Sequence, residues 1–507
     1  MKHSIGIIFL LIIICIIPSK SVIAQTDFEK YKQQQQETFQ QEVKRQQNLF
    51  DGKKKEMQER FEHYRDSLNQ VYATFLEERW DSYGLEKPDP LIKDPIPAPP
   101  VYDPKREQPK PLEIPIQVVL PVVSPTPPIP DAIPKPVLDL PQEKGVKFVY
   151  FGTDVWLKEF PVQRLQLSGV SEKEVSKCWS ALSQLPHYEW ESDILRIKNE
   201  LTLNDWGLYQ LLNQSFKIYF PQGSKNEQVV FAVFMLNQMG YQAKIGRSGN
   251  ELMPLIAFQQ EVYNGLYFTY GDRRSVKYTV LSPANKNLSS VQTCSIDYAN
   301  AMNTMDLSVQ ENPLLAVDLD SKVLTPNRGQ DTYELEYNRN RVDFYSEYPC
   351  VFYSVHAEAA LDEVLLESIE EEILPVISGK SQEEAVNWLL HFVQNAFDYK
   401  TDFDQFGYEK WFFLEETIAS SYSDCEDRSI LFAQLVHRLL GMKVVLIHYP
   451  NVHLATAVKF NNPQTKGDYV TVDGEEYLIC DPTYVNARLG MAMPELNNMK
   501  VEIVKLK

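Results

Sequence analysis

The last third of this 507-residue chain is predicted to be an α+β domain, a cysteine-bearing helix packed on an antiparallel sheet, and three observations predict it. Cys425 opens an apolar-faced helix that stops at Gly441. Two β-patterned segments follow, Lys443 to Tyr449 and His453 to Val458, joined by the turn Pro450-Asn451. A third, Tyr477 to Thr483, closes the pattern with Asp481 at its end. The expected order along the chain is a signal peptide (1–24), a long helical or coiled-coil segment (25–86), a Pro-rich linker (87–142), an α+β domain (143–262), a β-rich region (263–355) and the cysteine domain (356–507).

At the N-terminus, Lys2 precedes the apolar run Ile5 to Pro18, and Val22-Ile23-Ala24 offers a cleavage site before Gln25. The apolar core, about 14 residues, is shorter than the roughly 20 that span a bilayer. Membrane attachment is therefore expected only if the segment stays uncleaved, and the chain reads as exported, periplasmic or extracellular. The net charge is −19, and loss of Lys2 and Lys20 takes it to about −21. So acidic a chain repels phosphate backbones, which excludes nucleic acid as a partner.

Residues 26–86 carry Met57, Phe61, Tyr64, Leu68, Val71 and Phe75 at alternating steps of four and three. With Asp51-Gly52 as a break, this seam suits a self-associating coiled coil, a helical hairpin or a lone stalk helix. Between Pro88 and Pro141 stand 18 of the 32 prolines, a semi-rigid polyproline spacer. Globular composition begins near residue 143: Val146, Phe148 and Tyr150 alternate as a strand, and Ser171-x-x-Glu174 caps a helix through Leu185. Aromatic-rich strands from Tyr263 to Tyr353 predict a small antiparallel sheet. Beyond Cys15 in the leader, Cys178, Cys294, Cys350, Cys425 and Cys480 are too sparse for a disulfide scaffold, and an odd count leaves at least one thiol unpaired or paired between molecules.

In the cysteine domain, Ser381-x-x-Glu384 opens a helix with Val386, Leu389, Leu390 and Val393 on its apolar face. Ser423-Asp424-Cys425-Glu426-Asp427 then runs straight into the second helix. A cysteine at a helix N-terminus meets unpaired N–H groups and the positive end of the dipole, which favour a thiolate. His453 begins a neighbouring strand as the base, and Asp481 can accept from its imidazole. His437 and His448 are rival histidines, placed within the helix and at the end of the earlier strand.

Asp-Cys-Glu-Asp opening a helix, His-Leu-Ala-Thr-Ala-Val on a strand and Cys-Asp-Pro-Thr-Tyr after a strand resemble the transglutaminase-like superfamily of papain-like cysteine enzymes, over roughly residues 370–490. The resemblance implies Cys425 as nucleophile, His453 as general base and acid, Asp481 as orienting carboxylate, and a structural role for Asp427. Leu454-Ala455-Thr456 departs from the aromatic residue the family often carries after its histidine. Gln405 and Trp411, in the loop before the nucleophile, are candidates for the second oxyanion donor or for the cleft wall. No metal spacing is present among Cys425, Glu426, His453 and Asp481, and no metal or other cofactor is expected.

The stretch Ser224 to Gly240 echoes the cysteine helix. Registering Gly240 on Gly441 sets Phe231 on Phe432, Ala232 on Ala433, Ser224 on Cys425 and Leu252 on His453, a degenerate repeat without the triad. The function expected is hydrolysis of amide bonds in protein or cell-wall peptide through a Cys425 acyl-enzyme. The alternatives are a protein-crosslinking acyl transferase and a non-catalytic peptide-binding scaffold.

Overall fold

A computed structural model describes residues 21–88, 95, 96, 98–103, 118, 119, 145–158, 165–185, 187–270, 276–281, 288–326, 331–462, 464–496 and 499–506. Positions 1–20 of the expected signal peptide and most of the Pro-rich linker lie outside these residues. The chain divides into two compact units, 1–65 and 66–507.

Helix α1 (Ser21–Glu77) passes through Asp51-Gly52 without the expected break. One glycine costs a helix only about 1 kcal/mol, which the rest of a long helix absorbs. In the first unit Phe39, Val43, Phe50, Met57 and Tyr64 are exposed. In the second unit the seam splits. Tyr72, Ala73 and Leu76 are buried and Leu68 and Phe75 pack on the same core, whereas Val71 is exposed. This end of the helix is therefore a face of the globular body rather than a coiled-coil seam.

The second unit contains two lobes built alike, both α+β with antiparallel sheets. In the first, α2 (Glu172–Ser183), α3 (His187–Glu200), α4 (Asp205–Tyr219) and α5 (Lys225–Gln238) surround an aromatic core that includes Trp179, Trp190, Phe216 and Phe231. Ser224 caps α5 by accepting from the Glu227 N–H, and the Glu227 carboxylate accepts from the Ser224 N–H in return. Buried on nearly every side from Val229 to Gln238, α5 is the central helix.

Besides the hairpin of Val146–Tyr150 with Thr153–Leu157, the strands up to residue 293 are β1 (Asp81–Gly84), β2 (Val118–Val119), β3 (Ala243–Ser248), β4 (Glu251–Ala257), β5 (Leu266–Tyr270), β6 (Val276–Val280) and β7 (Ser290–Thr293). Six of them form one antiparallel sheet in the order β1-β7-β3-β4-β6-β5. This sheet crosses the boundary expected at 262/263, so the α+β domain and the β-rich region share one lobe. The open edge of β4 offers backbone groups that β6 satisfies.

The second lobe holds α6 (Gln382–Ala396), α7 (Cys425–Leu440), β8 (Val444–Tyr449), β9 (His453–Val458), β10 (Tyr469–Val472), β11 (Glu475–Cys480) and β12 (Glu502–Lys505). Its sheet order is β2-β12-β8-β9-β11-β10, antiparallel except that β2 runs parallel to β12. One face packs on α6 and α7 through Leu446, Leu454, Phe432 and Leu389. The other buries Ile447, Ala455, Ile479 and Tyr484.

The two sheets thus follow the same path from a central helix through a glycine with positive φ (Gly240 +89°, Gly441 +62°) into two hairpins and a return strand. Ala243–Ser248 occupies the place of Val444–Tyr449, and the pair Leu255–Val280 that of Thr456–Cys480. Ser224, the N-cap of α5, falls where Asp424 caps α7 and not on Cys425 as expected, and Leu281, the residue after β6, falls where Asp481 follows β11.

Candidate active site

Asp424 is the N-cap of α7 and Cys425 its first residue. The Asp427 side chain accepts from the Phe412 N–H at 2.9 Å and the Asp424 N–H at 3.4 Å, fastening the preceding loop to the helix start. Strand β9 is held on α7 by Ser429 Oγ, which donates to the Leu454 carbonyl at 3.0 Å.

Pairing of β9 with β11, Thr456 opposite Cys480, brings His453 and Asp481 together. His453 Nε2 lies 2.9 Å from Asp481 Oδ2, and the two side chains are 0% and 2% exposed. Asp481 Oδ1 accepts from the N–H groups of Thr483 and Tyr484, leaving Oδ2 for the imidazole. Gln394, on α6, donates to the carbonyls of Asp481, Tyr484 and Ala487 and so holds this loop. His453 Nδ1 is buried without a hydrogen-bond partner.

The sulfur differs from its sequence expectation. Cys425 is fully buried, and its thiol donates to Glu426 Oε2 at 2.9 Å. Burial first, then the charges of Glu426 and Asp424, push this thiol well above the usual cysteine range, against a smaller pull from the Leu454 N–H. The helix N-terminus contributes about 0.3–1 kcal/mol, up to about 2 in partly buried geometries. Desolvating a thiolate beside carboxylates costs more than that. The resting group is a neutral thiol.

Around it stands a set of acids, of which the sequence pointed to Glu426 and Asp427 but not to Asp402 or Glu409. Carboxylate oxygens of Asp402, Asp424 and Asp427, all buried, lie within 4.8 Å of one another. This is the group among the described residues that can offer three oxygens to a cation. Burial, followed by mutual repulsion with Asp424, pushes Asp402, Glu426 and Asp427 well up, and Glu409 up to about 7. Asp402 opens the short helix Asp402–Phe406 between α6 and α7 and Glu409 follows it, segments too short for a periodicity to reveal them. Only the run Asp424-Cys425-Glu426-Asp427 signals the cluster.

Gln405 and Trp411 do not converge on the sulfur's hydrogen bonds. Gln405 Nε2 donates to the Lys400 carbonyl at 3.0 Å and Trp411 Nε1 to Glu409 Oε2 at 3.3 Å, so each donor is engaged elsewhere. Trp411 is a packing residue, with its ring 4.4 Å from that of Tyr353. His448 pairs with Glu502 at 2.8 Å, and His437 lies in the last turn of α7.

Part of the Pro-rich linker lies against this end of the lobe. Tyr399 Oη donates to the Ile96 carbonyl at 2.6 Å, and Tyr102 and Pro100 exchange backbone bonds with Val485. Burial raises the Tyr399 phenol, and this first anchor lies against the Arg428 guanidinium of α7, 5.4 Å from its ring centroid. The second is four residues past Asp481. All five cysteines described are buried free thiols, and no described helix is long and apolar enough to cross a membrane. In comparisons with known proteins, no family model, no curated protein and no solved structure matches this chain.

Proposed function

We propose that this chain is an exported thiol enzyme of the transglutaminase-like, papain-like class that hydrolyses amide bonds in protein or peptide, cell-wall peptide included. The observation that carries the reading is the buried His453–Asp481 pair on the strand beside Cys425, with imidazole Nδ1 unengaged. Asp481 on Nε2 orients the ring and places the basic lone pair on Nδ1.

In the reaction, Nδ1 takes the Cys425 proton as the sulfur bonds to the carbonyl carbon. The amine then leaves with that proton as the C–N bond breaks, and a thioester remains. Water, giving a proton to Nδ1, attacks the thioester and releases the acid, and the proton returns to sulfur. Because the resting thiol is neutral, proton transfer accompanies attack instead of preceding it. An amine in place of water gives the crosslinking transferase.

A second reading, a peptide-binding scaffold, is favoured by one feature: a fully buried sulfur whose ionisation its neighbours oppose. A thiol-directed vinyl sulfone probe separates the two. The enzyme labels at neutral pH, Cys425→Ala abolishes labelling and His453→Ala slows it sharply. Folded protein that does not label is the scaffold.

A further inference from the structure

Between the two lobes in the chain stands an antiparallel ribbon, Leu319–Leu324 with Tyr333–Asn338, which belongs to neither of their sheets. Tyr333, Leu335 and Tyr337 of its second strand are buried and hold the ribbon to the body. The first strand is the outer one. Among the described residues, no strand and no isolated bridge lies on its far side.

The residue just before this strand shows which way the backbone groups point. The Asp318 carbonyl accepts from the Arg339 N–H at 2.8 Å, and the Asp318 N–H donates to Asn338 Oδ1 at 3.0 Å, so even-numbered residues face the second strand. Alternation along an antiparallel pair then turns the N–H and C=O of Leu319, Ser321 and Val323 to the open edge. In keeping with this, the Ser321 N–H donates to the carboxylate beside it, Asp320 Oδ1, at 2.9 Å.

Such an edge is a template for a further strand. Its outward side chains are apolar at Val317, Leu319 and Val323, which are 59%, 58% and 52% exposed.

Charge selects the strand that fits. Laid antiparallel against itself about Ser321, the run Leu-Asp-Ser-Lys-Val sets Ser321 opposite Ser321, Leu319 opposite Val323 and Asp320 opposite Lys322 of a second copy. Opposite charges facing one another across strands stabilise the pairing, and like charges oppose it. The two-fold axis repeats each of these matches, which is the self-complementarity a closed homodimer needs. The Asp320 carboxylate binds Arg339 through Oδ2 at 2.5 Å, and Oδ1 is released for Lys322 once the Ser321 N–H bonds across the edge. Lys322 Nζ gives one of its three protons to Ser421 Oγ at 2.9 Å and keeps the others.

We infer that two copies of this chain pair edge to edge through Leu319–Val323, antiparallel about Ser321, and join their ribbons into one continuous sheet. A contact of a single short strand is in the class below about 1,200 Å², so the dimer is weak and reversible. It requires nothing of Cys425.

Sedimentation equilibrium of the full chain at about 5–300 µM tests it, with Met57→Glu and Tyr64→Glu in place so that the apolar stripe of α1 does not contribute. The mass should rise toward twice that of the monomer with concentration. Lys322→Glu and Asp320→Lys should each weaken association at least about tenfold. An equimolar mixture of the two should recover it, because mixed pairs alone then bring opposite charges together. Ser321→Cys should give a disulfide-linked dimer on mild oxidation, since residues of a hydrogen-bonded pair have Cα atoms about 5.5 Å apart, whereas Val323→Cys should not link to itself. A mass that stays monomeric throughout leaves the edge to a strand of another protein and overturns the proposal. So does a mixture that fails to associate, or a Val323→Cys dimer as abundant as that of Ser321→Cys, which means a different register.

Discussion

The two lobes of the second unit share a chain path and differ in what they bury at the start of the central helix. In the first lobe that helix begins at Ser224 with Lys225 and Asn226 at the surface, and its capping serine and glutamate satisfy each other. In the second, Asp424, Glu426 and Asp427 are buried beside Cys425, with Asp402 against them. The difference teaches that packing of Phe231 or Phe432 against a sheet maintains the path, whereas the chemical groups are additions the fold does not need. Gathered acids raise the cost of burial, and among the described residues a cluster of three buried carboxylates stands at the start of the second lobe's helix alone.

The largest effect expected is on reactivity. Cys425→Ala should abolish labelling by the thiol probe and His453→Ala should slow it at least about 100-fold, while Ser224→Ala leaves it unchanged, all followed by mass spectrometry of the labelled peptide. Labelling that survives Cys425→Ala would break the contrast between the lobes.

Next in size are the central helices. Phe231→Ala and Phe432→Ala, each at a fully buried side chain, should cost about 3–5 kcal/mol in denaturant unfolding. A single transition shifted by both shows the lobes unfolding together. Two transitions, each moved by one substitution, show them independent.

The acids sharpen the comparison through pH. Glu409 has a folded-state value of about 7 against an ordinary 4.5, so the fold holds an extra proton between these values. Its contribution to stability falls as pH rises through that window and is constant above it. Glu409→Gln should therefore gain on the wild type between pH 4.5 and 7, by about 1 kcal/mol after allowance for partial exposure. Melting temperatures across that range check it.

The helix caps should respond with opposite signs. Ser224→Ala removes a capping bond and costs about 1 kcal/mol. Asp424→Asn keeps an acceptor and removes a buried charge, so at pH 7 the melting temperature should rise. Smallest in stability is Met57→Glu with Tyr64→Glu on exposed α1, within about 0.5 kcal/mol. If this face self-associates, sedimentation will show the mass of the wild type halved.

Much of the second lobe was legible because its signals are local. Ser381 and Glu384 cap α6, Gly441 ends α7, and the runs 444–449 and 453–458 are strands. The order of Cys425, His453 and Asp481 along a helix and two paired strands also shows before any fold is known. The split of the α1 seam was not legible, since Leu68 and Val71 look alike until a core takes one of them. Nor was the joining of 243–257 with 266–293 into one sheet, where pairing depends on edges far apart in the chain.

By itself, the sequence determined which segments are helix or strand and which residues carry reactive groups, because capping, turn chemistry and apolar periodicity act within a few residues. Only the tertiary structure decided that the Cys425 thiol is neutral, that Asp402 and Glu409 join its neighbourhood, and that, among the described residues, one edge of Leu319–Leu324 is left without a neighbouring strand. Burial and charge interaction are set by distance in space, and a linear chain does not record which distant groups will exclude water together.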